Sequence, residues 1–492
     1  MLGWKGRLFV RTSSLRQFVR FNSQVYDVAV IGGGPAGYVA AIRAAQLGYR
    51  TVCIEKRGRL GGVCYNHGCV SSKSLLNNTE LYQRVKTEGK ERGLVFNNNV
   101  SADIIQMMAV KDKAVVELTE ELEILLKKYG VEYLPAIASF VDQFNLEIRP
   151  IDGSQPYNLM SQHTVIATGA KVVSLPGVEI DQVKICTSTG MLQMELIPKR
   201  LTIIGAGVIG LEMATIYSRL GSDVTIIEQR DTIGARMDKE MANEVQRIFT
   251  KKGMKFKTNT KVVTSVKNGD IVNIGVENIK TGTTEILESD VVLVAVGRKP
   301  CTNELNIRNI GLETDHDGAL LVKDKFTTTK HNNIKAIGDV ISGNMLAHKA
   351  EEEAIAVIES IKTGKGEVNY NNIPWVMYTS PEIAWTGFTE EELKEKGKRY
   401  KVGRFPFNAN PRARINGEPE GMIKVLIGAK SHKILGAHIV GPKAAELIAE
   451  ATLAIQYAIT ADEVAGTCHA HPTFSEAFKE AAMAAYDNPI HV

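Results

Sequence analysis

Cys64 and Cys69 stand five positions apart in Gly61-Gly62-Val63-Cys64-Tyr65-Asn66-His67-Gly68-Cys69-Val70-Ser71-Ser72-Lys73. Upstream lies the loop Gly32-Gly33-Gly34-Pro35-Ala36-Gly37. A glycine-rich phosphate cradle followed closely by two thiols places a redox-active disulfide beside a bound nucleotide. That combination reads as electron transfer between a flavin and a dithiol, with a thiolate as the reactive form.

The elements that must position these groups are legible around them. Val25 to Ile31 is a short apolar run rich in β-branched residues and reads as a buried strand. Gly32, Gly34 and Gly37 then fit G-x-G-x-x-G: the first glycine for the turn, the second for approach of a pyrophosphate, the third for helix–strand packing. The Ala-rich helix expected over Tyr38 to Leu47 offers free N–H groups and a positive dipole end to phosphates. Glu55 ends the next strand, Thr51 to Ile54, where an acid can hold a ribose hydroxyl.

A second copy follows. The strand Arg200 to Ile204 leads into Gly205-Ala206-Gly207-Val208-Ile209-Gly210, and the strand Val224 to Ile227 ends in Glu228. In both copies the acid lies 21 residues after the middle glycine. One such loop is a weak signal, but two complete strand–loop–helix–strand–acid units point to two dinucleotide sites. Glu228 favours NAD over NADP, because a carboxylate repels a 2′-phosphate, although Arg230 lies nearby.

Two further stretches carry chemistry. Ile334 to Asp339 reads as a short strand ending in Gly338-Asp339. In His469-Ala470-His471-Pro472-Thr473-Phe474-Ser475-Glu476, His471 has a carboxylate five residues on, which can fix the imidazole tautomer and stabilise an imidazolium, as a general base needs.

The 492 residues suggest about three domains. A net charge of +4 gives no warrant for nucleic-acid binding, and no apolar run approaches the ~20 residues that span a bilayer. Residues 1–24 hold Lys5, Arg7, Arg11, Arg16 and Arg20 with no acid before Asp27, and are hydroxylated and amphipathic. They read as a mitochondrial transit peptide and stand outside the fold. Six cysteines are too sparse for a disulfide scaffold. Cys53 reads as core, and Cys186 and Cys301 as bystanders. Cys468 in Cys468-His469-Ala470-His471 has no second ligand pair, so no metal site is expected.

The motifs IGGGPAGYVAAIRAAQLG, C-x4-C, IATGA, IIGAGVIGLE, AVGRKP, AIGDV, MLAHKAEEE and HAHPTFSEAFKEA follow one another along the chain. On these motifs the chain, from about Val25 to Val492, resembles the dihydrolipoamide dehydrogenases, a branch of the flavin-dependent pyridine nucleotide–disulfide oxidoreductases, and most of all their fungal mitochondrial form. The resemblance implies an α/β fold with two Rossmann-like units and a C-terminal α+β interface domain. It implies FAD on Gly32, Gly34, Gly37 and Glu55, with Gly338 and Asp339 at the ribityl and pyrophosphate. It implies NAD on Gly205, Gly207, Gly210 and Glu228. Thr168, Gly169, Gly297, Arg298, Met345, Ala347 and His348 complete the cofactor-binding set.

Of the implied catalytic residues, Cys64 is the interchange thiol and Cys69 the thiolate against the flavin. Lys73 lies near the flavin N5 and pairs with Glu212. His471, oriented by Glu476, is the acid–base and reaches the site from the other subunit of a homodimer. The implied activity is reoxidation of protein-bound dihydrolipoamide with NAD as acceptor. The implied setting is the mitochondrial matrix. The implied partners are lipoyl-bearing acyltransferase domains of 2-oxoacid dehydrogenase complexes and the glycine cleavage carrier protein.

The expected domain division is a FAD domain over 25–170, an NAD domain over 171–297, a central segment over 298–368 that completes the FAD domain, and an interface domain over 369–492. In the interface domain, strands are expected at Asn372 to Tyr378 and Met422 to Leu426, and a helix at Ala444 to Tyr457.

The chain departs from the branch's usual GGTCLNVGCIPSK at Val63, Tyr65, His67, Val70 and Ser71. Serine at position 71 is expected to cap the helix that proline would otherwise start. His67 would stabilise a thiolate if protonated, or else crowd the substrate channel. Ala136 and Ala138 replace expected glycines near the FAD adenosine, where added methyls would weaken FAD binding. These changes motivate a second reading, a paralogue that keeps the cofactor scaffold in a binding role with little lipoamide activity. A third reading, a reductase for another disulfide such as glutathione, would require NADPH preference, which Glu228 opposes.

Overall fold

A computed structural model describes residues 25–492 apart from Asn98 and Ala235; the transit-peptide expectation for 1–24 lies outside the described residues. The chain opens with β1 (Val25–Ile31), α1 (Pro35–Gln46), β2 (Thr51–Glu55), α2 (Gly62–His67), α3 (Cys69–Glu88) and α4 (Ile104–Lys128). All of β2 is buried, as expected of a strand covered on both faces. Its parallel sheet runs in the order Glu132–Phe140, β2, β1, Tyr157–Ile166, Ile334–Ala336. The last strand arrives from far downstream in the chain.

Proline at the first position of α1 starts that helix three residues earlier than Tyr38, because its fixed φ suits a first turn and its missing N–H is not needed there. Ala36, Ala40 and Ala44, at i, i+4 spacing, are buried in one core with Ala350, Ala354 and Val357 of the helix Ala347–Thr363. Small side chains on one stripe let the two helices pack closely.

The second Rossmann unit is a five-stranded parallel sheet in the order Lys255–Lys257, Asp223–Ile227, Arg200–Ile204, Val291–Val294, Ile185–Cys186. The chain passes between the two units through an antiparallel pair, Ala170–Val172 with Arg298–Pro300.

The C-terminal part is an antiparallel sheet in the order Trp375–Met377, Glu382–Gly387, Ile434–Gly441, Met422–Gly428, Tyr400–Pro406. Helices Ala444–Gln456, Ala461–Gly466 and Glu476–Tyr486 cover it. The strand expected from Asn372 is shorter at its start: Tyr370–Asn372 forms a 3-10 turn and Pro374, which has no N–H to give a ladder, precedes the first strand residue. Lys424, fully buried in this sheet, reaches Asp238 and Glu240 of the second Rossmann unit at 2.9 Å and Glu390 at 2.8 Å, tying the two parts together. Among the described residues no helix is long and apolar enough to cross a membrane.

Candidate active site

α2 and α3 meet at Gly68. A Cβ added there would lie 2.9 Å from the Val63 carbonyl oxygen and 3.3 Å from Cys64 Cα, so the missing side chain lets the two helices join tightly. Cys64 sits inside α2, and Cys69 is the first residue of the 20-residue α3. Both are free thiols. The neighbouring Cys64 thiol, with help from Lys73 and against burial, lowers Cys69 to about 7. The Cys69 sulfur beside it and burial push the Cys64 thiol well up. The helix N-terminus adds its positive end at Cys69.

One turn along α3, Lys73 Nζ lies 2.9 Å from both carboxylate oxygens of Glu212. Glu212 belongs to the helix Val208–Leu220 of the second unit and is buried. The Tyr378 N–H donates to its Oε1 at 3.1 Å, and the Tyr378 ring lies 4.6 Å from Lys73 Nζ. Burial opposes the Lys73 charge, but Glu212 and Cys69 outweigh it and hold the ammonium above its ordinary pKa.

The two glycine loops repeat each other in detail. Gly32 and Gly205 have φ of +109° and +107°, the left-handed region that glycine enters freely. A Cβ on Gly37 or Gly210 would strike the Gly32 or Gly205 carbonyl oxygen at 1.7 or 2.0 Å. A Cβ on Gly207 would meet nothing within 4 Å, and one on Gly34 only the Gly62 Cα at 3.6 Å; these middle glycines leave a face open to a pyrophosphate. Each acid is anchored alike. Glu55 accepts from the Gly33 and Arg57 N–H groups at 2.8 and 2.9 Å, and Glu228 from Ala206 and Arg230 at 2.9 Å each.

Gly338 and Asp339 lie in a turn facing the first loop, where a Cβ on Gly338 would come 3.1 Å from Ala36 Cβ. Asp339 is half-buried, and among the described residues its carboxylate has no hydrogen-bond partner. Burial raises its pKa against Lys349 and Arg298. A carboxylate so placed fits the hydroxyls of a bound FAD, and the open middle glycines fit the phosphates of FAD and NAD.

Thr168 Oγ1 donates to the Cys301 carbonyl at 2.6 Å, the Cys301 N–H to Gly169 at 2.8 Å, the Val173 N–H to Gly297 at 3.1 Å, and Arg298 to the Ala170 carbonyl. These four residues are thus gathered at the crossover. Met345 is half-buried just before the helix that starts at Ala347, and His348 Nε2 donates to the Pro374 carbonyl at 2.7 Å.

His471 lies apart from the thiols in sequence and element, on the C-terminal part, with its side chain 67% exposed. Its Nδ1 bonds Glu476 Oε1 at 2.8 Å, and the Thr473 N–H holds Glu476 Oε2 at 2.7 Å. Burial would raise the Glu476 carboxyl, but Thr473 and His471 keep it below the ordinary range. Nδ1–H given to the carboxylate leaves Nε2 as the basic nitrogen. Cys468 is exposed, and no metal-ligating cluster occurs among the described residues.

Two expectations for the thiol loop change. Ser71 does not cap α3: Gly68 occupies that position, and Ser71, inside the first turn, donates weakly to the Asn66 carbonyl at 3.4 Å. His67 is not a cation beside the thiols. Burial and the charges of Arg57, Lys111 and Arg59 lower its pKa, and it lines a cleft with Lys111 and Leu192. Tyr65 turns toward α1, its ring edge-on to Tyr38 at 6.1 Å. Ala136 and Ala138 are buried in the core of the first unit.

Sequence reasoning did not single out Lys349 and Glu353, which form a fully buried pair at 3.0 Å and fix the Gly338 turn. Glu353 Oε2 accepts the Gly338 N–H at 2.7 Å, and Lys349 Nζ donates to the Gly338 carbonyl at 3.3 Å. Their signal is an i, i+4 Lys–Glu pair on the apolar side of a helix, where charge is otherwise rare.

The chain matches the family model described as pyridine nucleotide-disulphide oxidoreductase over residues 26–354, and that family's dimerisation domain over 373–482. It is 48% identical to the mitochondrial dihydrolipoyl dehydrogenase of Schizosaccharomyces pombe, covering 94% of this chain and 90% of that protein. It is 49% identical to the dihydrolipoamide dehydrogenase of Chaetomium thermophilum, covering 94% and 92%. Among solved structures, LpdA from Mycobacterium tuberculosis is similar with a TM-score of 0.85 at 25% identity, covering 92% of this chain and 98% of that one. Paired thiols beside one of two glycine cradles, an interface domain bearing a His–Glu pair and these likenesses together establish that the chain belongs to the pyridine nucleotide-disulphide oxidoreductase family.

Proposed function

We propose that the chain oxidises dihydrolipoamide to lipoamide through Cys64 and Cys69, with NAD as the final acceptor and FAD between them. The observation that carries this reading is the pair of free thiols at the α2–α3 junction, Cys64 in α2 and Cys69 at the first position of α3, with Lys73 held by Glu212 one turn further on. The relatives named dihydrolipoyl dehydrogenase support the substrate, and nothing favours the scaffold-only paralogue.

Gly32, Gly34, Gly37, Glu55, Gly338 and Asp339 would hold FAD, and Gly205, Gly207, Gly210 and Glu228 would hold NAD. FAD held there would supply the two-electron carrier between the dithiol and NAD, and NAD the hydride acceptor. The protein's own groups manage the thiols and protons. His471 Nε2 of one subunit takes a proton from a substrate thiol at the Cys64–Cys69 disulfide of the other. The substrate thiolate attacks Cys64 Sγ, the S–S bond breaks, and Cys69 leaves as a thiolate favoured by Lys73 and the helix end. The second substrate thiol then attacks the sulfur joined to Cys64: the Cys64 sulfur leaves with the proton held by His471, and His471 takes up the proton of the second thiol as lipoamide leaves as a disulfide. Two electrons and two protons leave the substrate, and the dithiol holds the electrons.

The dimerisation domain supports a homodimer. The division into FAD segments 25–170 and 298–368, an NAD domain 171–297 and an interface domain 369–492 is supported by the strand Ile334–Ala336 pairing with Tyr157–Ile166 and by the crossover at 170–172 and 298–300. The relatives named mitochondrial support that organelle, and we assign the reaction to the matrix. The macromolecular partners we assign are lipoyl-bearing acyltransferase domains of 2-oxoacid dehydrogenase complexes and the glycine cleavage carrier protein. The test is NADH formation from dihydrolipoamide by the flavin-loaded protein. Turnover lost in both Cys64→Ser and Cys69→Ser supports the reading; no NADH from the parent protein overturns it.

A further inference from the structure

A cleft of about 220 Å3 opens on the α2–α3 junction, between that loop and α4, and is lined by Arg59, His67, Ser71, Lys111, Asp112 and Gln193 among others. Lys111 is buried, pinned by the Leu192 carbonyl at 2.6 Å and by Asp112 at 2.8 Å. Arg59 is exposed, and among the described residues neither its guanidinium nor the His67 ring has a hydrogen-bond or ion-pair partner. His67 and Ser71, two of the positions where the sequence leaves the branch pattern, therefore open on the same space.

The charges facing His67 are Arg57, Arg59 and Lys111, with Asp112 as the one acid lining the cleft. Cations exceed acids here, and Asp112 is already paired with Lys111. A guanidinium fork and an imidazole lining one small space suit an oxyanion, which accepts from both. The volume suits an inorganic phosphate or a small carboxylate and excludes a nucleotide.

We propose that this cleft is a binding site for a small oxyanion of the phosphate class, held by Arg59 and His67 and separate in its residues from both dinucleotide cradles. An anion there would stabilise the imidazolium and so raise the lowered His67 pKa, and binding takes up a proton at the ring.

The test uses the FAD-loaded protein with saturating NAD, so that the cradles are filled, and titrates inorganic phosphate by calorimetry at constant ionic strength. Saturable binding of one phosphate per chain, weakened at least about tenfold in Arg59→Ala, is expected. Arg59 is on the surface, and unchanged flavin content reports that the variant folds. Proton NMR of the His67 ring gives a second measure: phosphate should raise its titration midpoint in the parent protein and leave it unmoved in Arg59→Ala. No saturable binding, equal binding in Arg59→Ala, or a His67 midpoint that ignores phosphate would each overturn the proposal.

Discussion

Lys73 Nζ lies 2.9 Å from each carboxylate oxygen of Glu212, so one ion pair joins the helix that begins with Cys69 to the helix Val208–Leu220 of the second Rossmann unit. The ammonium is held charged, and its charge is one of the effects that lower Cys69.

Replacing Lys73 with Ala removes that positive charge and leaves Glu212 buried and ionised nearby, which itself raises Cys69. Both effects have the same sign. The thiolate midpoint should climb above about 7, read from the pH dependence of thiolate absorbance in the dithiol-reduced protein. Losing one partner of a largely buried pair should also cost about 3 kcal/mol of stability. A midpoint that does not move would remove Lys73 from the account of Cys69.

His471 should be the proton acceptor for the substrate thiol. His471→Gln is expected to lower turnover by about 10²–10⁴-fold with FAD still bound; parental rates in that variant would sink the assignment. Glu476 adds a pH signature. Its folded pKa is depressed, so its contribution to stability is present above the ordinary Glu pKa of about 4.3 and is lost as pH falls through the folded value. The stability gap between parent and Glu476→Gln, from denaturant titrations, should therefore close as the solution is acidified below that range.

Glu353 holds the Gly338 turn from inside the protein, bonded to Lys349 and to the Gly338 N–H. Glu353→Ala leaves the Lys349 ammonium buried and uncompensated, at a cost of about 3–5 kcal/mol. Because the same carboxylate positions the turn that carries Asp339, the variant should also release flavin more readily on dilution. Unchanged stability with unchanged flavin retention would show that the turn holds itself.

Much of this architecture was legible because its signals are local. The two cradles repeat one spacing, each acid ends a short buried strand, and His471 and Glu476 are close in sequence. What escaped depends on contacts between distant segments. The Lys349–Glu353 pair lies in a motif quoted for its resemblance, yet its burial follows only from the packing of its helix on α1. Tyr378 reaches Glu212 from the interface sheet, across 166 positions of chain. The direction in which His67 faces was not legible either, since the turn at Gly68 decides whether neighbouring side chains see the thiols or α4. Residue type alone points to Ser71 as a cap, whereas the helix begins at Cys69 because the chain turns at Gly68.

That shift sets the expectation for Ser71→Pro. Position 71 is the third residue of α3, and the first backbone bond tying the helix start is Ser72 N–H to the Gly68 carbonyl at 2.8 Å. Amides of the opening turn have no acceptor within their own helix, so proline removes little there and its fixed φ suits the site. The hydroxyl it replaces makes one long bond to Asn66. Stability should change by no more than about 1 kcal/mol, and dihydrolipoamide oxidation should stay within a few-fold of the parent. Flavin loss, or a collapse of turnover with the flavin retained, would mean that the Ser71 hydroxyl or amide supports the thiol loop in a way its hydrogen bonds do not account for. The same variant keeps Arg59 and His67, so its phosphate affinity should stay near that of the parent.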